Sequence, residues 1–198
     1  NPVVVLADGF IGQMMEPVEF PEHPVAPKLP EWAVAGTAAT RKNLVSSMHL
    51  DFDDLEALNN KLEAKYKVAE QNETRAEEWF VDDAEIVLVG YGILGRILKA
   101  VVAEARAAGM KVGLLRPITL YPFPSEHFQR LSSSARAFIV VEMSNGQMVD
   151  DVRLALNGSC PVEFLNRMGG NVPSHEEVFA FVRSQAKRYL QEEQMAHV

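Results

Sequence analysis

Four short apolar runs set the limits on this fold. They are Ile86-Val87-Leu88-Val89, Val112-Gly113-Leu114-Leu115, Phe138-Ile139-Val140-Val141 and Val162-Glu163-Phe164-Leu165. They lack the strict alternation of a strand with one wet face, so they read as strands buried on both sides. A helical pattern follows each. After the first, Ile93, Ile97, Val101 and Ala105 form one ridge, with Leu94, Leu98 and Val102 beside it, and Gly109 stands where a helix-ending glycine belongs. After the second, a proline-rich loop over 116–124 leads to Ser125, a suitable N-cap for a short helix ending near Leu131. A helix over about 147–156 follows the third. After the fourth, Gly169-Gly170 breaks the chain and Ser174-His175-Glu176-Glu177 opens a last helix as a capping box. The inward face of that helix carries Val178, Phe181, Val182 and Ala186. This βα repeat predicts an α/β fold, a parallel-rich open sheet with helices on both faces.

The first half of the chain is different in kind. Six of its eleven prolines lie in the first thirty residues, so 17–30 is expected to run extended. Ahead of it, Val3-Val4-Val5-Leu6 reads as a buried strand, Asp8-Gly9 as a turn, and the stretch from Phe10 to Met15 as one or two helical turns. A lone strand has no sheet of its own, so the start is read as the last strand of a further domain. Residues 51–79 read as one long helix with a narrow stripe at Leu55, Leu58, Leu62, Tyr66, Ala69 and Ala76, and Asp51 and Asp54 at its start. Residues 51–85 hold twelve acids against four bases, which accounts for the whole net charge of −8. That stretch is read as a solvated helix face, with an acidic docking surface as the alternative.

Composition narrows the function. With 198 residues and 47% hydrophobic content the chain can bury a core without metals or disulfides. Its net negative charge argues against nucleic acid as the main partner. No apolar run approaches the roughly 20 residues of a membrane span. A single cysteine, Cys160, cannot ligate an iron–sulfur cluster alone and fits a reducing cytoplasm.

Several motifs carry possible chemistry. Gly90-Tyr91-Gly92-Ile93-Leu94-Gly95 is a G-x-G-x-x-G between a strand and a helix, the context of a dinucleotide fingerprint. The next strand, however, ends in Arg116-Pro117 and not in the acid that reads a ribose. An NADP-binding Rossmann oxidoreductase using Arg116 is therefore the alternative, beside a tight turn whose glycines serve packing. His23, His49, His127, His175 and His197 show no i, i+4 metal spacing and none pairs with Cys160; surface or capping roles are expected of them. Ser144 lies in Met143-Ser144-Asn145-Gly146, which is not a nucleophile elbow. Asp8-Gly9 is close to the Gly-Asp-Gly of thiamine diphosphate enzymes, but Ala7 replaces the first glycine and Asn59-Asn60 lies too far downstream, so that site is rejected.

Three stretches together carry a resemblance: 116–124 (Arg-Pro-Ile-Thr-Leu-Tyr-Pro-Phe-Pro), 141–148 (Val-Glu-Met-Ser-Asn-Gly-Gln-Met) and 8–14 (Asp-Gly-Phe-Ile-Gly-Gln-Met). They resemble the C-terminal half of the alpha subunit of 2-oxoacid:ferredoxin oxidoreductases, nearest to the 2-ketoisovalerate type, as does the acidic helix from Leu55 to Tyr66. The resemblance implies a three-layer α/β/α sheet like the C-terminal domain of transketolases over 81–198. It implies a remnant of the thiamine-pyrimidine-binding domain over 1–20, an extended connector over 21–50 and the long acidic helix over 51–80. The whole enzyme would oxidatively decarboxylate a 2-oxoacid to an acyl-CoA and reduce ferredoxin. It would use thiamine diphosphate, Mg²⁺, an iron–sulfur cluster and coenzyme A, with a thiamine-binding beta subunit and an iron–sulfur subunit as partners. No cofactor or catalytic residue is assigned to this chain, which is expected to be inactive alone and to self-associate through its apolar start. A non-enzymatic adaptor is the other alternative.

In open α/β sheets, ligand and partner contacts gather at the carboxyl ends of the strands. Here those ends are Gly90, Tyr91 and Gly92; Arg116; Glu142, Ser144 and Asn145; and Asn166 and Arg167. They are the expected interface or cleft-facing residues, with an Arg116–Glu142 ion pair as the purely structural possibility.

Overall fold

The computed structural model describes residues 2–20, 22 and 28–196. The chain divides into two units, Asn1–Gln13 with Ala69–Val198, and Met14–Val68.

The larger unit is the expected α/β layer structure. Strands β1 (Ala76–Trp79), β2 (Ile86–Val89), β3 (Val112–Pro117), β4 (Ala137–Glu142) and β5 (Val162–Asn166) form one sheet in the order β1-β3-β2-β4-β5. The pairs β2–β3, β2–β4 and β4–β5 are parallel, and β1 is antiparallel to β3. Helices α3 (Ile93–Ala107) and α6 (His175–Ala196) cover one face, and α4 (Ser125–Leu131) and α5 (Met148–Leu156) the other.

The apolar runs make this arrangement compulsory. In β2, Ile86 and Leu88 face α3 and α6, while Val87 and Val89 face α4 and α5. In β4, Ile139 and Val141 take the first face, and Phe138 and Val140 the second. All eight side chains are fully buried. Each such burial contributes ~1.5–3 kcal/mol, so neither face can be left to water. On the α3 face, Leu94, Leu98, Val101, Val102 and Ala105 meet Val178, Val182 and Ala186 of α6. Gly109 ends α3 at φ +80°, as its position predicts.

Some local expectations fail for identifiable reasons. Ser125 is the first residue inside α4 and not its cap; Pro124 holds the cap position and the Ser125 N–H donates to the Phe123 carbonyl. The capping box of α6 is half formed: Ser174 Oγ accepts from the Glu177 N–H at 3.2 Å, but the Glu177 carboxylate binds Arg167 at 2.7 Å.

The long helix is shorter than its pattern suggests. Helix α2 runs Phe52–Asn72, and the chain then turns into β1. Ala76, read as the end of the helical stripe, pairs with Pro117 in the sheet. Glu77 and Glu78 in β1 find cations on opposite faces, and those pairs outweigh a weak helical preference. No residue of α2 is buried.

The stretch Val3-Val4-Val5-Leu6 is not a strand; its side chains are 71–89% exposed. It pairs with no strand of the five-stranded sheet. A short helix α1 (Gly9–Gln13) follows it as expected. The expected extended run over 17–30 lies partly outside the described residues, and 17–20 and 28–30 contain no helix. His23 and His197 also lie outside them.

In the smaller unit, a 3-10 turn at Ala38–Asn43 is pinned by the Asn43 amide, which donates to the carbonyls of Glu31 at 2.7 Å and Ala33 at 3.0 Å. At the start of α2, Asp51 Oδ1 accepts from the N–H groups of Asp53 and Asp54 at 3.0 and 3.2 Å, the capping role its position predicts.

Candidate functional site

The sheet has one topological switch point. Chain order runs outward from β2 to β3 on one side and from β4 to β5 on the other, so β2 and β4 are neighbours whose following helices leave toward opposite faces. In open α/β sheets the crevice beyond such a pair is where ligands and partners are met. Here it is walled by Gly90-Tyr91-Gly92 after β2 and by Glu142-Met143-Ser144-Asn145 at the end of β4, with Asn166 at the end of β5 alongside.

Gly90 is required by its surroundings. A Cβ there would lie 2.5 Å from Leu98 Cδ1, 3.4 Å from Leu94 Cβ and 3.4 Å from the Val141 carbonyl. The glycine thus lets α3 close down on the sheet. Tyr91 is half-buried and packs on the α4–α5 face. Burial, and then the Glu142 charge, push its phenol above the usual range.

Glu142 is 1% exposed, the one buried charged or polar residue among those described. Its carboxylate accepts from the Val149 N–H at 2.5 Å, the Gln147 N–H at 3.0 Å and the Ser144 hydroxyl at 2.5 Å. It therefore caps α5 from the preceding strand, where its charge meets the helix's positive end. The Ser144 hydroxyl is used by this network and is not poised as a nucleophile. The Asn166 amide donates to the Ser144 carbonyl at 2.9 Å, and the Arg167 N–H to the Glu142 carbonyl at 3.0 Å. The geometry thus brings Glu142, Ser144, Asn166 and the Arg167 backbone together, with Tyr91 beside them. Asn145 lies in the same loop and is exposed.

Arg116 is not part of that group, and the expected Arg116–Glu142 pair does not form. Strand β2 stands between β3 and β4, so the two residues are a strand apart. Arg116 instead faces Glu77 in the β1–β3 register, and its Nε donates to the Glu77 carboxylate at 2.7 Å. Lys99 of α3 donates to the same carboxylate at 2.5 Å. These two cations, Lys99 first, hold the Glu77 carboxyl below the usual range against the opposing effect of burial. The Arg116 stem also lies over Gly95, where a Cβ would sit 2.7 Å from its Cδ.

The glycine-rich turn holds a residue that sequence reasoning set aside. Asp8 Oδ1 accepts from the Ile11 N–H at 2.8 Å and Asp8 Oδ2 from the Ile93 N–H at 3.2 Å. Gly92 stands at φ +60°, and a Cβ on it would lie 2.9 Å from Asp8 Oδ2. A carboxylate of the chain itself thus occupies the position at the start of α3 where a dinucleotide pyrophosphate would sit. With Arg116 spent on Glu77, the arrangement argues against the NADP alternative. The spacing of Asp8 to Ile11 is that of a cap and its third residue, a legible signal; the bond to Ile93, 85 residues away, leaves none.

Among the described residues no group of three His, Cys, Asp or Glu could hold an ion. His127 pairs with Glu78 and His175 with Glu104. Cys160 is buried, and its thiol donates to the Ala135 carbonyl at 3.4 Å. Nor is any helix among the described residues long and apolar enough to cross a membrane.

Several known proteins are similar to this chain. Residues 84–178 match the family described as pyruvate:ferredoxin oxidoreductase core domain II. The ketoisovalerate oxidoreductase subunit VorB of Methanothermobacter marburgensis is 52% identical over 185 residues, covering 92% of this chain and 52% of that protein. VorB of Methanothermobacter thermautotrophicus is 52% identical over 188 residues, covering 94% of this chain and 53% of that protein. The chain thus spans about half the length of the curated relatives it matches. Among solved structures, the 2-oxoglutarate:ferredoxin oxidoreductase of Magnetococcus marinus superposes with a TM-score of 0.58 at 17% identity, over 69% of this chain and 24% of that one. That likeness concerns the fold. Residues 84–178, which carry β2 to β5 and the switch point, are thus similar to a pyruvate:ferredoxin oxidoreductase core domain II, and the chain as a whole is similar to ketoisovalerate oxidoreductase subunits over about half of their length.

Proposed function

We propose that this chain is the C-terminal portion of the alpha subunit of a 2-oxoacid:ferredoxin oxidoreductase, with 2-ketoisovalerate as the substrate of the assembled enzyme. The observation that carries the reading is the 52% identity to ketoisovalerate oxidoreductase subunit VorB over 92% of the chain. Relatives named for 2-oxoglutarate are more distant, at 32% identity over 102 residues for the subunit KorA of Methanothermobacter marburgensis.

In this reading the chain assembles and positions, and other parts of the enzyme do the chemistry. An iron–sulfur cluster needs about four thiolates, and this chain offers one buried thiol. In this reading the cluster has its ligands in an iron–sulfur subunit, and thiamine diphosphate, Mg²⁺ and coenzyme A are held by the preceding part of the alpha subunit and by a thiamine-binding beta subunit. When bound, thiamine diphosphate supplies the carbanion chemistry of decarboxylation. This chain's share is a rigid sheet end. Gly90, Tyr91, Gly92, Glu142, Ser144, Asn145, Asn166 and Arg167 form the rim offered to the cofactor cleft or to a neighbouring subunit. Residues 1–20 would end the pyrimidine-binding domain, 21–50 connect it, and 51–80 carry the acidic helix. The assembled enzyme would work in the cytoplasm and pass its electrons to ferredoxin.

The test is recovery of the full-length protein from its source cell, followed by assay of 2-oxoacid-dependent viologen reduction. A thiamine-binding subunit and a cluster protein should accompany it, 2-ketoisovalerate should be preferred to 2-oxoglutarate, and the isolated 198-residue chain should be silent. Unrelated partners would favour the adaptor reading, and activity of the isolated chain would place the chemistry in residues assigned here to structure.

A further inference from the structure

We infer that Asp8 is a latch: one carboxylate closes the G-x-G-x-x-G turn against phosphate-bearing ligands and ties the 9–13 helix to α3. A cleft of about 390 Å³ beside the turn is lined by Ile11, Gly92, Gly95, Arg96, Lys99 and Arg116; two of its three cations, Lys99 and Arg116, already bind the Glu77 carboxylate. The start of α3 adds its own positive end. Yet the N–H of Ile93, one of the first donors of α3, is taken by Asp8 Oδ2 at 3.2 Å. The other oxygen of the same carboxylate takes the Ile11 N–H at 2.8 Å. Gly92 has no Cβ to push the carboxylate away, and its φ of +60° turns the backbone so that the oxygen can approach.

The two bonds act together. One negative charge sits at the starts of two helices, so each helix holds the carboxylate in place for the other. Helix α1 has only five residues and buries none of them, so its own hydrogen bonds cannot keep it folded. Docking through Asp8 gives it a reason to persist, and it brings Ile11 to the wall of the cleft. The glycines of the turn thus serve the approach of a side chain from the same polypeptide, where a nucleotide-binding protein uses them for a pyrophosphate.

Hydrogen exchange of the 198-residue chain, resolved by residue, tests this with Asp8→Ala and Asp8→Asn. Asp8→Ala should speed exchange at Ile11 and Ile93 by roughly an order of magnitude, in keeping with loss of a helix cap. Asp8→Asn keeps one acceptor oxygen and should fall between wild type and Asp8→Ala. Amides of Ile86–Val89 and Ala137–Glu142 report whether each variant keeps its fold. In the wild type, inorganic pyrophosphate and NADPH should leave the Gly92 and Ile93 amide resonances unmoved. Unchanged exchange at Ile11 and Ile93 in a folded Asp8→Ala variant overturns the latch. A saturable shift of those resonances in the wild type overturns the closure.

Discussion

Leu98 sits where Gly90 would carry a side chain: its Cδ1 lies 2.5 Å from the position of a Cβ on that glycine. Leu98 is fully buried, so it has no room to step aside. Gly90→Ala should therefore overpack the α3–sheet contact and cost ~1–3 kcal/mol. Urea unfolding of the two forms measures it. A change below about 0.5 kcal/mol would mean that the helix can lift off the turn freely.

Glu142→Gln tests the buried carboxylate. Gln keeps one acceptor for the Val149 N–H but turns an NH₂ group toward the Gln147 N–H and the Ser144 hydroxyl. At the Gln147 N–H donor then faces donor, while the Ser144 hydroxyl rotates to accept from the NH₂ group, and the N–H left unsatisfied costs roughly 1–3 kcal/mol. The variant should lose stability in denaturant titration, and exchange should rise at Gln147 and Val149 before it rises in the strands. Because Glu142 holds the Tyr91 phenol up, after burial, the variant should also lower the pH at which Tyr91 ionises by absorbance.

Cys160 should be nearly inert while the protein is folded. It is 6% exposed, and burial pushes its thiol up to about 11. At pH 8 the thiolate fraction is then about a hundredfold below that of an ordinary cysteine, and the thiolate is the reactive form. Mass spectrometry after iodoacetamide should show slow labelling of the native chain and rapid labelling in guanidinium. Rapid labelling of the native form would show that the α4–α5 side opens locally.

The acid limb of stability should carry the mark of Glu77. Its folded-state pKa lies below the ordinary 4.5, chiefly through Lys99, with Arg116 adding to it. A depressed carboxylate stabilises the fold above its unfolded pKa, and that contribution is lost as pH falls through the folded value. Glu77→Gln should therefore lower the melting temperature at neutral pH and make little difference well below pH 4.5. Equal loss at both ends of the range would assign the effect to packing.

The parts of this fold that sequence made legible are those where burial leaves no choice. Ile86–Val89 and the run from Phe138 to Val141 have apolar side chains on both faces, and only a covered parallel strand satisfies that. β1 was hidden because Ala-Glu-Glu-Trp has a helix-like composition; what makes it a strand is Arg116 across the ladder and Arg130 and Lys99 on the two sides. The site shows the same divide. The strand ends were readable from the run boundaries, but the partner of Arg116 depended on strand order, which local patterns do not encode. Val3–Leu6 failed for the opposite reason: an apolar run is a strand only where a sheet has an edge to give it.

β1 also settles how the sheet behaves when its charges are removed. It is an edge strand, and edges of this kind are templates for pairing with another chain unless something guards them. Glu77 anchors it to Lys99 and Arg116 on one side, and Glu78 to His127 and Arg130 on the other. In acid both carboxylates are neutral and the edge has lost its clamps, while Lys99, Arg116, His127 and Arg130 keep their positive charge and repel a second copy. Brief storage at low pH should therefore loosen β1 without joining chains, and added salt, which screens those cations, should bring on rim-to-rim oligomers.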